Sequence, residues 1–62
     1  MLIKRGDRGE DVKEIQALLN DKGFGPIGVD GIFGGGTEAA VKRFQKAAFL
    51  GVDGIVGRNT LA

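Results

Sequence analysis

The sequence predicts an all-α domain, a small three-helix bundle whose third helix is short. Three observations carry this. Residues 12–19 (VKEIQALL) and 41–48 (VKRFQKAA) both place apolar side chains at helical spacing. A turn signal occurs twice, as VDGIFGGGT at 29–37 and VDGIVGRNT at 52–60, with six letters fixed around three that vary. One helix-turn unit cannot bury its apolar face alone, whereas two can bury each other's, so the chain reads as a pseudo-duplicated pair of units. With 62 residues, it is a single domain spanning 1–62.

The elements follow in order. Asp7-Arg8-Gly9-Glu10 has the form of a capping box, an oxygen-bearing N-cap with Glu three residues later. Val12, Ile15, Leu18 and Leu19 continue at helical spacing, and Gly23 stands where a left-handed residue ends a helix. The first helix is therefore expected over roughly residues 8–22, with Phe24 folding back on its last turn. Gly25-Pro26-Ile27-Gly28 cannot be helical and reads as a turn. In each VDGI, Asp can bond its own backbone two residues on and Gly accepts positive φ. A second helix, with Thr37 in its first turn and Ala40, Val41, Phe44 and Ala48 on one face, runs to about Ala48. After the second VDGI, residues 58–62 look like the opening of a third helix.

Composition excludes several functions. There is no Cys, His, Ser, Tyr or Trp. Hydroxyl nucleophiles reduce to Thr37 and Thr60, with no imidazole to activate either, so the segment is not expected to be an enzyme. Neither a disulfide nor a zinc site is available, and no cofactor is expected. The loop after Asp30 offers Ile32 and Gly34 where a calcium loop needs oxygen ligands, so no metal is expected. Nine basic against eight acidic residues give a net charge of +1, without the basic excess of a nucleic-acid binder. No apolar run approaches the roughly 20 residues that span a bilayer, and the first ten residues lack the apolar core of a secretion signal. The expected state is a monomer that contacts neither nucleic acid nor membrane.

Asp30-Gly31-Ile32-Phe33-Gly34, followed by Thr37, Ala40-Val41 and Phe44-Gln45, is similar to the signature of the helical peptidoglycan-binding domain of bacterial and phage cell-wall hydrolases. Residues 5–9 with Val12, Gln16 and Leu19 resemble its first helix, and residues 52–57 with Thr60 its closing turn. The resemblance implies a non-catalytic module that binds peptidoglycan and tethers an attached wall hydrolase, a phage endolysin or bacterial autolysin. A start at Met1 without a signal looks like the wall-targeting end of an endolysin, made in the host cytoplasm and released through a holin pore. The alternative is a protein-binding or propeptide-like regulatory domain of the same fold. Three features depart from the family pattern. Gly35 and Arg58 stand where Pro often opens a helix, Phe49 stands where Gly or Asn usually ends one, and the last helix stops at Ala62.

Four residues are candidates for ligand contact: Asp30, Phe33, Arg43 and Gln45. Asp30, like Asp53, either caps its own turn or meets an ammonium group of the peptide stem; capping is the favoured reading. Gln16 and Gln45 lie at matching flanks of their apolar stripes, about 40° from the Val. They are expected to bond the backbone of an adjacent turn, the competing role being glycan or peptide amides. Phe33 is either a core plug or a groove wall. Phe44 is expected in the core. Lys42, Arg43 and Lys46 form the densest basic cluster, by default a solvated face, with Arg43 suited to a stem carboxylate because guanidinium binds carboxylate bidentately. Sugar rings are commonly gripped on Trp or Tyr, which are absent, so recognition is expected to favour the peptide stem, or stem plus N-acetyl groups, over sugar faces.

Overall fold

The computed structural model describes residues 2–57. Among them are two helices, α1 (Glu10–Asp21) and α2 (Gly35–Ala47), with no strand and two isolated antiparallel bridges. The third helix expected at 58–62 lies outside the described residues. No helix among the described residues is long and apolar enough to cross a membrane.

Helix α1 begins two residues later than its sequence pattern suggests, and the capping box is not formed. Its N-cap is Gly9, without a side-chain cap. Asp7 is engaged elsewhere: its Oδ2 accepts the Lys4 N–H at 3.0 Å. Residues 6–9 are drawn into backbone pairing with the first VDGI turn. The Gly6 N–H donates to the Phe33 carbonyl and the Phe33 N–H to Asp7, at 2.9 and 3.0 Å, while the Gly9 N–H donates to Gly31 at 2.9 Å. Farther up the same leader, Ile3 and Val56 exchange both backbone bonds, at 2.9 and 2.7 Å. Phe33 and Val56 are equivalent positions of the repeat. Each pairs with the leader through its backbone and turns its side chain into the core.

That core joins Val12, Ile15 and Leu19 of α1 to Ala40 and Val41 of α2, closed by Ile3, Phe33 and Val56. Two expectations about α2 need correction. Phe44 is only partly buried and Ala48 is exposed. The inner face of α2 is instead Thr37, Ala40, Val41 and Gln45, rotated toward the turns that the two polar side chains hold. Phe44 packs at the rim, edge-on to Phe24 with ring centroids 5.3 Å apart, and Lys22 Nζ lies 5.9 Å from its ring.

Both helices end in the same way. After α1, the Phe24 N–H reaches the Leu19 carbonyl and the Gly23 N–H reaches Asn20, with Gly23 at φ 87°. After α2, the Leu50 N–H reaches Gln45 and the Phe49 N–H reaches Lys46, with Phe49 at φ 59°. This is the Schellman motif, which requires a left-handed residue. Glycine adopts that conformation freely, while a residue with a Cβ loses about 1–2 kcal/mol. The Phe49 side chain is 97% exposed, so no packing offsets the strain. Phe49→Gly is therefore expected to stabilise the domain by about 1 kcal/mol after the extra unfolded-state entropy of glycine. Thermal denaturation followed by circular dichroism should show a melting point higher by about 4–8 °C.

Candidate functional site

Each VDGI turn is held by one buried glutamine from the preceding helix. Gln16, 1% exposed, donates its Nε2 to Asp30 Oδ1, the Ile32 carbonyl and Thr37 Oγ1, each at 3.0 Å, while its Oε1 accepts the Gly31 N–H at 2.9 Å. Gln45 repeats the pattern in the second unit. Its Nε2 donates to Asp53 Oδ1 at 2.9 Å and to Ile55 at 3.0 Å, and its Oε1 accepts from Asp53 and Gly54 at 3.1 and 2.9 Å. Both aspartates also accept the N–H two residues on, from Ile32 and Ile55. The glycine between them takes positive φ, 78° at Gly31 and 75° at Gly54, which lets its N–H point back at the glutamine. The glutamines are thus the pivots of the fold, and their amide groups are spent internally.

Those bonds fix the charge state of the turns. The carboxyl of Asp30 lies below its ordinary range, held there first by the Ile32 N–H and then by the Gln16 amide; Asp53 is held likewise by Ile55 and then Gln45. A carboxylate whose folded pKa is depressed stabilises the fold fully above its unfolded pKa of about 3.9, and that contribution is lost as pH falls through the folded value. The melting temperature is accordingly expected to hold down to about pH 4 and to drop below it. A paired Asp30→Asn and Asp53→Asn variant should show a shallower acid drop in the same calorimetric series.

The two units differ in the length of the connection that leads into the turn. From Gln16 to Asp30 is 14 residues, but from Gln45 to Asp53 only 8. The extra six residues form the connection through Pro26, and it is pinned to α1 by Asn20. The Asn20 side chain donates Nδ2 to the Ile27 carbonyl and accepts the Ile27 N–H at Oδ1, both at 2.9 Å. Gly25 is obligatory there, because a Cβ would run into the Asn20 amide. Pinned in this way, Pro26, Ile27 and Gly28 face Ile32, Gly34 and Gly36 across an open groove of about 350 Å³, which Gln16, Asp30 and Thr37 also line. A Cβ added at Gly28, Gly34 or Gly36 would meet nothing within 4 Å. These positions therefore leave the backbone bare to a ligand.

Of the four candidate contact residues, the structure places only Asp30 in this groove. Phe33 is 1% exposed and belongs to the core, which offers a ligand no surface. Gln45 is buried in the second turn. Arg43 is exposed and donates Nη2 to the Phe24 carbonyl at 2.8 Å, tying α2 to the end of α1. The glycine-lined walls and the Asn20 clamp were missed in the sequence, although the unequal Gln-to-Asp spacing was there to be read.

The sequence and the fold have counterparts among known proteins. The family described as "Putative peptidoglycan binding domain" matches residues 8–62. A spore cortex-lytic enzyme of Bacillus cereus is 48% identical over 59 residues, covering 95% of this chain but only 23% of the enzyme. The solved SleB N-terminal domain superposes with a TM-score of 0.93 at 47% identity, over 97% of this chain and 82% of that one. A Burkholderia AP3 phage endolysin gives 0.92 at 38% identity, over 97% of this chain and 23% of that one. With a family match over nearly its whole length and a shared backbone course, the chain belongs to the peptidoglycan-binding domain family.

Proposed function

We propose that the domain is a non-catalytic module that holds an attached wall hydrolase on peptidoglycan, and that the groove beside Asp30 receives the peptide stem. The observation that carries this is the groove itself. It opens beside the first turn, and its walls present bare glycine backbone, short polar groups and the aliphatic Pro26, Ile27 and Ile32, with no aromatic face among the described residues. Such walls suit an extended peptide better than a sugar ring, which is commonly gripped by an aromatic plane. Tethering raises the local concentration of the catalytic partner and turns each encounter into a nearly intramolecular one. Affinity for a single stem should be modest, since a small groove must offset a large fixed entropic cost of association. The work of such a module is done at the cell wall; release through a holin pore applies if the parent protein is a phage endolysin.

Sedimentation with purified sacculi tests the reading. The domain should pellet with the wall, and soluble disaccharide-peptide should compete it off, whereas glycan strands stripped of peptide should not. Gly36→Trp is expected to abolish pelleting by filling the groove, because position 36 has open space and needs no positive φ. Unchanged circular dichroism together with unchanged pelleting would place the binding surface elsewhere.

A further inference from the structure

Among the described residues Asp30 is the only ionisable one lining the groove, and its charge there is negative. Three cations stand near the first turn: Arg8, which bridges Ile32 through the backbone and forms no ion pair with Asp30, and two that are paired outside the groove. Lys13, whose stem packs beside Gly31, lies 3.8 Å from Glu10, and Arg5, beside Gly35, lies 3.8 Å from Glu38. Neither ion pair involves Asp30, which is exposed. The bonds from Gln16 and Ile32 both fall on Oδ1. The turn therefore uses one oxygen of the carboxylate, and its charge is not neutralised by any cationic side chain among the described residues. The remaining groups of the groove are glycines, Pro26, Ile27 and Ile32, together with Thr37, whose Oγ1 accepts from Gln16, and Gln16, whose amide is already spent.

We propose that the groove selects ligands bearing a free primary ammonium group, which Asp30 binds, and discriminates against the same ligand once that amine is acylated. This rests on the groove being the peptidoglycan site. In a peptide stem the amine is the side chain of the diamino acid, and cross-linking converts it to an amide. The module then concentrates its hydrolase on wall that is not cross-linked. A de-N-acetylated glucosamine is a second source of the same chemistry.

The second turn supplies an internal control. Asp53 makes the same two kinds of bond through its Oδ1 and lines no part of this groove. Asp30→Asn and Asp53→Asn each keep an Oδ1 acceptor and remove one charge, so their effects on stability should match while their effects on binding should not. The experiment is calorimetric titration with a disaccharide-peptide carrying a free side-chain amine, with its N-acetylated form, and with a glucosamine oligomer. The native domain should bind the free amine about tenfold more tightly than the acetylated form, the size expected for one charge-assisted hydrogen bond. Asp30→Asn should reduce that ratio to about one, and Asp53→Asn should leave it at about ten. Binding of the glucosamine oligomer in place of the stem would assign the ammonium to the sugar and overturn the reading of cross-linking. Equal affinity of the native domain for both peptides, or equal effects of the two asparagine variants, would overturn the proposal. If Gly36→Trp still blocks binding in that case, the groove stands and only the role of Asp30 falls. If neither peptide binds, both fall.

Discussion

Gln16→Leu is expected to remove more than half of the domain's stability at 25 °C. Leucine has nearly the volume of glutamine, so packing is approximately kept and the loss is one of hydrogen bonds. The Gly31 N–H and Thr37 Oγ1, both on buried residues, are left without the partners that Gln16 supplies. Asp30 and the Ile32 carbonyl lose theirs as well. A buried polar group without a partner costs about 1–3 kcal/mol, so the substitution should cost about 3–5 kcal/mol. A domain of this size has only about 3–9 kcal/mol in total. Urea denaturation followed at 222 nm gives the answer directly. A Gln16→Leu protein that unfolds at the native midpoint would show that the turn holds itself and that the glutamine is incidental.

Phe33→Ala should be nearly as damaging, for a different reason. Phe33 is among the largest fully buried side chains and plugs the space between the first turn and the two helices. Truncating a buried phenylalanine costs about 3–5 kcal/mol through lost transfer energy and the cavity left behind. At the equivalent position of the second unit, Val56→Ala should cost less, because fewer carbons leave the core. The same denaturation series compares them. Similar midpoints for the two variants would mean that the repeat's two plugs are not packed as the structure shows. Loss of ligand binding by Phe33→Ala should follow loss of the fold, since its side chain has no exposed face to offer.

Much of this architecture was legible because it is local. Val12, Ile15 and Leu19 mark one helix face by spacing alone, and Gly23 marks the helix end by its need for positive φ. The repeated VDGI with a Gln at the same flank of each helix was enough to anticipate that the glutamines hold the turns. What local pattern could not supply was pairing between distant segments. The capping box at Asp7 is a sound local expectation, but Gly6, Asp7 and Gly9 are taken by Phe33 and Gly31, and the helix starts later as a result. Phe44 fits the apolar stripe, yet Gln45 must face the second turn, which rotates Phe44 to the rim. Arg43 looked like a free cation and is bonded to the Phe24 carbonyl. The groove was hidden for a similar reason. It depends on Asn20 pinning a connection whose length differs between the two units, and no hydrophobic period encodes that.

The central claim is that two glutamine-held turns build the domain and, as proposed above, that the groove beside the first, bounded by its longer connection, receives the ligand. The most direct test is an amide chemical-shift titration of the domain with soluble disaccharide-peptide. The account predicts that the largest shifts fall on Gly28, Asp30, Ile32, Gly34 and Gly36, with Gly54 and Ile55 unmoved. Shifts centred on the second turn, or on Lys42, Arg43 and Lys46 along the outer face of α2, would contradict it.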